Sequence, residues 1–282
     1  MIPHGRVTCL VENSAPLSSR LWGEHGVSFL VKVGRHRVLF DTGQSGTVLA
    51  HNLDELGIDL AGLDAIVLSH GHYDHTGGLM EALSRVGSVP IYAHPDLFSQ
   101  HLARRDAGLR YVGIPWTRED LLARTRLHLH TGPVEIVPGV WTTGEIPRCV
   151  PFEKPSPRLV VQDEVGNVSP DPLRDDMALV IDAKPGLFLL FGCGHAGLVN
   201  TLRHVQTTFR RRVFGLAGGI HMASASQERF QATIKALNDE SEFAVLRMWL
   251  GHCSGYATVV RFQLQWGLEY TNWCSTGAII EW

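Results

Sequence analysis

The chain has 282 residues, of which 44% are hydrophobic and 19% are charged, and this composition is typical of a globular protein. Its net charge of −3 argues against a nucleic-acid partner, and without an apolar run of about 18 residues no membrane span is expected. The five cysteines form no CxxC pair, and no apolar segment of a secretory signal follows the N-terminal residues. We therefore expect a cytoplasmic protein with reduced thiols.

In the first third of the chain, short apolar runs alternate with helical patterns. The predicted strands cover residues 7–12, 26–33, 37–40, 64–68 and 89–93. The second and third of these form a hairpin around a glycine-containing turn, and the third ends at Asp41. Helices are predicted over 45–56 and from residue 77 onward.

Three histidines and a carboxylate lie within six residues, between the predicted strand 64–68 and the helix that follows. Side chains alternate along an extended segment, so His70 and His72 can approach one metal ion from the same side. Asp74 and His75 then point toward a neighbouring position. Imidazole and carboxylate ligands together suit zinc, iron or manganese. The alternative is a histidine-rich surface loop that binds no metal.

The middle of the chain has a less regular pattern. Residues 96–126 alternate basic and acidic side chains with leucine and contain helical pieces without a clean period. We interpret a segment near 96–130 as an insertion over the mouth of the site, where specificity would be determined. A hairpin over 133–143 and a proline-rich connection over 151–157 follow it.

In the second half, several apolar runs end in small residues and then a histidine. Strands are predicted over 177–182, 186–191, 213–217, 243–248 and 277–280, and helices over 196–207, 227–237 and 257–266. His195, His221 and His252 each follow one of these runs. Strand ends meet at one rim of a layered sheet protein, so we expect these histidines to converge with the first motif.

The pattern His70-x-His72-x-Asp74-His75 resembles the signature of the metallo-β-lactamase superfamily. Residues 144–148, 175–176, 192–200, 218–221 and 252–255 resemble the branch that includes 7,8-dihydropterin-6-yl-methyl-4-(β-D-ribofuranosyl)aminobenzene 5'-phosphate synthases. The resemblance covers most of the chain. It implies one α/β (α+β) domain over residues 1–282, folded as a four-layer αββα sandwich. It also implies two divalent metal ions between the sheets, with zinc ahead of iron or manganese.

The resemblance also implies a ligand for each metal position. The first metal would take His70, His72 and His195, and the second would take Asp74, His75 and His252. The third histidine that the superfamily usually carries upstream is missing, and the usual bridging aspartate falls at Cys193. Either Cys193 ligates as a thiolate or it packs beside the site as a small buried residue. Asp41 would support a ligand from behind by hydrogen bonding.

The implied function is metal-dependent hydrolysis of a small, phosphorylated or cyclic substrate by a metal-activated water molecule. Asp74 would accept a proton, and His221 would contact the substrate or carry a proton. Arg148 would pair with a phosphate or carboxylate of the substrate, or else form a surface salt bridge. Asp175 and Asp176 would contact the substrate or cap a turn.

Two further functions stay open from the sequence. One is a pterin-linked transferase that displaces pyrophosphate, and the other is a binding or sensing protein without turnover. The complete His70-to-His75 motif counts against the second of these. The expected partner is a small molecule, and the oligomeric state is left open.

Overall fold

The computed structural model of the chain describes residues 1–239 and 247–282. Its first half contains the strands β1 (Gly5–Val11), β2 (Ser28–Val33), β3 (His36–Phe40), β4 (Ala65–Val67), β5 (Ile91–Ala93), β6 (Gln100–Arg105), β7 (Gly108–Tyr111), β8 (Leu127–Leu129), β9 (Val134–Val137) and β10 (Val140–Thr142). The helices of this half are α1 (Gly46–Glu55), α2 (Tyr73–Thr76), α3 (Leu79–Val86) and α4 (Arg118–Leu122).

The second half contributes eight strands and three helices among the described residues. The strands are β11 (Leu159–Gln162), β12 (Val168–Pro170), β13 (Leu179–Ala183), β14 (Gly186–Phe191), β15 (Val213–Gly218), β16 (Arg247–Leu250), β17 (Thr271–Trp273) and β18 (Ile279–Glu281). The helices are α5 (Leu198–Phe209), α6 (Gln227–Asp239) and α7 (Tyr256–Trp266). Of the predicted strand 243–248, residues 243–246 lie outside the described residues, and the remainder begins β16.

Two seven-stranded sheets form the body of the protein. Their strand orders are β18-β1-β2-β3-β4-β5-β8 and β17-β16-β15-β14-β13-β10-β9. In each sheet one half is antiparallel, and the other half, β3-β4-β5-β8 or β14-β15-β16-β17, is parallel. The carboxyl ends of parallel strands lie at one edge of a sheet, and each sheet therefore presents such an edge.

Alternating side chains give each sheet two apolar faces. In β2 and β3, Leu30 and Leu39 pack in a cluster with helices α1 and α3, whereas Phe29 and Phe40 face the second sheet. The second sheet packs its outer face against α5, α6 and α7. The layers are therefore helix, sheet, sheet and helix, and the predicted four-layer αββα fold is confirmed.

A small third sheet, with the strand order β12-β11-β6-β7, lies beside the metal-motif loop. The backbone N–H of Tyr73 donates to the Val112 carbonyl at 3.0 Å, and Trp116 Nε1 donates to the Thr76 carbonyl at 2.9 Å. Much of the segment near 96–130 therefore contacts this loop, whereas β8 extends the first large sheet. That the whole segment is an insertion stays a prediction.

Several elements differ from the sequence analysis. Residues 100–111 form a hairpin instead of helical pieces, and its turn ends at Gly108, whose φ of 116° suits glycine. The strands β11, β12 and β17 were not predicted, because segments of three or four residues acquire strand structure mainly by pairing with a neighbour. Among the described residues, no helix combines the length and apolar character needed to cross a membrane.

Candidate metal centre

Strand ends from both large sheets meet at one rim and carry the histidines of the sequence motifs. His70 and His72 follow β4 in the first sheet. In the second sheet, His195 follows β14, His221 follows β15 and His252 follows β16. Because these strands are parallel within each sheet, their carboxyl ends share an edge, and the histidines face each other across the gap between the sheets.

The first group of candidate ligands contains His70, His72 and His195. One ligand atom of each lies within 4.8 Å of those of the other two, and all three residues are buried. His70 Nε2 lies 3.0 Å from His72 Nδ1, and the rings of His70 and His195 are 4.9 Å apart between centroids. This group contains the three residues expected for the first metal.

The second group contains Asp74, His75, Cys193 and His252, whose ligand atoms also lie within 4.8 Å of one another. Cys193 Sγ is 3.2 Å from Nε2 of both His75 and His252. Asp74 Oδ2 is 3.5 Å from His75 Nε2 and 3.4 Å from His252 Nε2. The structure thus places Cys193 among the residues expected for the second metal, with its sulfur between two imidazoles.

Asp41 orients one histidine of each group from behind. Its Oδ2 accepts from His75 Nδ1 at 2.7 Å and from the hydroxyl of Ser69 at 2.7 Å. The Ser69 hydroxyl in turn accepts from His70 Nδ1 at 2.8 Å. In both imidazoles Nδ1 is occupied by this hydrogen bond, and Nε2 is the atom that is directed into the site.

His252 is supported by two residues that the sequence analysis did not single out. Its Nδ1 donates to Asn13 Oδ1 at 2.8 Å, and its backbone N–H donates to Glu12 Oε1 at 2.5 Å. Glu12 and Asn13 directly follow β1, at the same edge as Asp41. A polar pair at a strand end was the available signal, whereas the role of Asp41 was implied by the family resemblance.

A second overlooked group lies behind His72. His101 Nδ1 donates to Asp171 at 2.6 Å, and its Nε2 lies 3.4 Å from Asp175 Oδ2. The same Asp175 oxygen accepts from the backbone N–H of Gly71 at 2.7 Å. Asp175 thus connects the loop of the metal motif to the third sheet.

Asp176 and Arg148, both predicted to bind substrate, make contacts with the backbone near His195. Asp176 Oδ2 accepts from the Ala196 N–H at 2.7 Å. The Arg148 guanidinium donates to the carbonyl oxygens of His195 at 2.6 Å and of Pro172 at 3.0 Å. In the structure both side chains position the loop that carries His195, and a contact of either with substrate stays a prediction.

His221 lies at the edge of the first group, and its ring centroid is 4.3 Å from that of His195. With Cys193 and Cys253 it forms a third set of ligand atoms within 4.8 Å of one another. His25, in the loop before β2, was not singled out from the sequence, and its Nε2 lies 3.2 Å from Asp74 Oδ2. His25 is still half-exposed, with 51% of its side chain accessible.

The protonation states suit a cation in each group. Burial, reinforced by the neighbouring histidines, lowers the pKa of His70 and His195 well below the usual range, and that of His72 falls to about 4. These imidazoles are neutral near pH 7 and offer lone pairs. Burial also disfavours the charged form of His75, but Asp74 and Asp41 outweigh it and raise its pKa to about 10. The second group therefore attracts positive charge.

Unpartnered atoms in the first group also fit a bound metal. Nε2 of both His72 and His195 is buried without a hydrogen-bond partner among the described residues. Buried polar atoms are rarely left without a partner, because the loss of water is then uncompensated. Imidazoles, a carboxylate and a thiol are the donors that zinc accepts, and iron and manganese accept most of them.

Three residues around the site have backbone conformations that favour glycine. Asp41, His221 and His252 have φ values of 58°, 47° and 49°. Non-glycine residues in this region cost roughly 1–3 kcal/mol each, and they persist where the surrounding structure holds them. Asp41 directly follows β3, His252 follows β16 after one glycine, and His221 follows β15 after two residues, so all three strained positions lie at the rim where the strands end.

Comparison with known proteins identifies the family to which the chain belongs. The family model of the metallo-beta-lactamase superfamily matches residues 21–166. A 7,8-dihydropterin-6-methyl-4-(beta-D-ribofuranosyl)-aminobenzene-5'-phosphate synthase of Methanocaldococcus jannaschii is 31% identical, over 89% of this chain and 88% of the relative. An uncharacterized protein of the same organism is 29% identical over 90% of this chain and 93% of its own length.

Among solved structures, Tm1679, described as a metal-dependent hydrolase of the beta-lactamase superfamily, is similar over 98% of both chains. Its TM-score is 0.80 and its sequence identity is 27%. The resemblance inferred from the motifs is therefore confirmed along nearly the whole chain.

Proposed function

Because this chain is an enzyme that belongs to the metallo-β-lactamase superfamily, we propose that it is a metal-dependent hydrolase of a small, phosphorylated or cyclic substrate. The observation that carries the proposal is the pair of adjoining ligand groups, each within 4.8 Å and each supported from behind. The prediction that the chain is an enzyme is confirmed by its relatives. The same relatives count against the alternative of a binding protein without turnover.

Two divalent metal ions fit the residues present, with zinc ahead of iron or manganese. His70, His72 and His195 would hold one ion, and Asp74, His75 and His252 would hold the other, with Cys193 as an additional thiolate ligand. When bound, such ions polarise the oxygen under attack and lower the pKa of a water molecule.

The residues of the chain have distinct tasks in this proposal. Asp41 keeps His70 and His75 in the tautomer that leaves Nε2 free, and Asn13 does the same for His252. Asp74 helps to bind the second metal and accepts the proton of the attacking water molecule. His221, beside His195 at the edge of the site, contacts the substrate or carries a proton to the leaving group.

Metal content and turnover test this proposal together. We expect elemental analysis of purified protein to find up to two equivalents of zinc, iron or manganese. Screening phosphodiesters, esters and lactones should identify a substrate whose turnover stops with a chelator and returns when the metal is added back. Trace metal only, or turnover that a chelator does not affect, would contradict the proposal.

A pterin-linked transferase is the second candidate, and the 31% identity to the Methanocaldococcus jannaschii synthase favours it. In that reaction pyrophosphate leaves a pterin as a new bond forms to the acceptor, and the same cations would stabilise the leaving group. Incubation with a dihydropterin diphosphate and an arylamine ribofuranosyl phosphate separates the two. Release of pyrophosphate only when the acceptor is present identifies a transferase.

A further inference from the structure

A cleft of about 550 Å³ opens beside the metal centre, between the proline-rich segment 151–157 and the start of α6. His221 lines one part of it and lies against His195, a member of the first ligand group. A molecule in this cleft can therefore reach the metal centre. Its polar lining consists of Lys154, Ser156, Ser224, Ser226, Glu228 and Arg229.

Arg229 gives this cleft a positive charge that Glu153 attracts electrostatically but that no hydrogen-bond partner among the described residues satisfies. Its Nε atom is buried without a hydrogen-bond partner, and its guanidinium makes no hydrogen bond or ion pair with any described residue. Burial lowers the pKa of Arg229, although the group stays charged near pH 7. Burying part of a cation without a hydrogen-bond partner costs folding free energy. The N–H groups of arginine usually donate to a carboxylate or a phosphate.

The acidic residues near Arg229 form no hydrogen bond or ion pair with it, although Glu153 attracts it electrostatically. Glu153 is buried, and its two oxygens accept from the backbone N–H groups of Val199 at 2.9 Å and Asn200 at 2.8 Å. It therefore caps the first turn of α5. Glu228 also lines the cleft but is exposed on the first turn of α6, where water screens its charge.

The start of α6 adds to the positive potential. Ser226 Oγ accepts from the Arg229 N–H at 3.2 Å and so caps this 13-residue helix. The Glu228 carboxylate also lies in this first turn, where hydrogen bonds with Ser226 and with its own backbone N–H lower its pKa, so the dipole contributes less to the cleft than the charge of Arg229 does. Lys154 lies on the opposite wall of the cleft and is exposed. Together these groups form a cradle for a dianion.

We propose that this cleft is the subsite that binds a phosphate group of the substrate, with Arg229 as its principal ligand. The inference rests on the proposed function, because it takes the metal centre as the place where the substrate reacts. The reacting bond lies near His195 and His221, and the phosphate lies toward α6. This arrangement selects small molecules that carry a phosphomonoester or diphosphate at a distance from the reacting bond.

Equilibrium binding of inorganic phosphate and pyrophosphate to the metal-loaded protein tests the subsite without any need for turnover. Arg229→Met removes the cation, and we expect it to weaken binding of these anions about 10- to 100-fold, the scale of a charged hydrogen-bonded pair. Arg229→Lys keeps the positive charge but cannot form two parallel hydrogen bonds with one anion. Its affinity for these anions should lie between those of the unaltered protein and Arg229→Met. Metal content should stay unchanged in both variants.

Lys235→Met is the matched control, because Lys235 is on the same helix, is 78% exposed and does not line the cleft. Ser224→Asp is a second variant that places a negative charge at an exposed cleft position and should also abolish anion binding. Anion affinity equal to that of the unaltered protein in Arg229→Met and Ser224→Asp would overturn the subsite. If the unaltered protein takes up no metal but binds phosphate, and these variants lose that binding, the proposed function is refuted and the anion site is kept.

Discussion

His75 Nδ1 donates a 2.7 Å hydrogen bond to Oδ2 of Asp41, and both side chains are completely buried. The two residues are 34 positions apart, Asp41 directly after β3 and His75 in the short helix α2. Asp41 also accepts from the backbone N–H of Ser69 at 2.7 Å. One carboxylate therefore fixes the loop of the metal motif and the tautomer of its last histidine.

Asp41→Asn should weaken metal binding about 10- to 100-fold, the usual cost of losing the partner of a metal-binding histidine. The amide nitrogen of asparagine donates where the carboxylate accepted, so His75 would shift its proton to Nε2 and lose the lone pair that faces the site. Metal titration of the metal-free variant measures the effect.

The control for this variant is Asp64→Asn. Asp64 also lies beside a histidine Nδ1, that of His36 at 3.1 Å, but it is partly exposed and on the opposite side of the fold from the strand-end rim. The Asp64→Asn variant should have the same metal affinity as the unaltered protein. Equal metal affinity in Asp41→Asn and the unaltered protein would show that Asp41 has only a packing role.

The sequence predicted the residues whose signal is local and missed those whose role depends on distant contacts. His70, His72, Asp74 and His75 stand together in one loop, so their spacing alone indicates a metal site. Asn13 supports His252 across 239 positions. No spacing rule joins two positions so far apart, because only the order of strands in the sheets brings them together.

The same reasoning explains the errors in the middle of the chain. The segment 96–126 has no clean period, because it forms a hairpin and short helical turns whose apolar residues join the cluster of the first large sheet at separate points. Its hairpin is stabilised by pairing with β11, which is 50 or more residues away. Strand identity here follows from tertiary contacts and not from local propensity.

Cys193→Ser should remove the metal of the second group and spare that of the first. Cys193 Sγ is 3.2 Å from His75 Nε2 and from His252 Nε2, where a thiolate can bind the same ion as both imidazoles. In cobalt(II)-loaded protein we expect the thiolate-to-cobalt charge-transfer absorption to be lost in this variant. Cys193→Asp, which restores a metal-binding carboxylate at this position, should keep the second metal without that absorption.

Cys149→Ser is the control, because Cys149 is an exposed free cysteine outside all three ligand groups. It should keep both the absorption and the metal content. If Cys193→Ser also keeps them, Cys193 is a packing residue and not a ligand.

Gly71→Ala should destabilise the protein and reduce its metal content. Gly71 separates His70 from His72, and a Cβ atom at this position would collide with the backbone carbonyl of Leu97. Backbone cannot rotate away as a side chain can, so the cost should approach the 1–3 kcal/mol typical of overpacking, or about 2–8 °C in the melting temperature. Gly132→Ala is the matched control, since no atom lies within 4 Å of its added Cβ. Equal melting temperatures for the two variants would contradict this explanation of Gly71.

Asp74→Asn should lower turnover by roughly 10²- to 10⁴-fold, the usual scale for losing a general base. Asp74 is buried, and its Oδ2 lies within 3.5 Å of a nitrogen atom of His25, His75 and His252. The histidines hold the pKa of this carboxyl well below its usual range, although burial opposes them. Asparagine keeps the size of the side chain but removes both the charge and the ability to accept a proton.

Three measurements on Asp74→Asn separate the role of this residue in the site from a role in folding. Metal in the second group should bind more weakly, turnover on the substrate found by the screen should fall, and the melting temperature of the metal-free protein should change little. Asp106→Asn, at an exposed position between β6 and β7, should leave all three unchanged. Full activity with unchanged metal content would refute the role of Asp74 as base and ligand. An unfolded variant would show that the motif is structural, since the carboxylate would then be required to hold three histidines together without any metal.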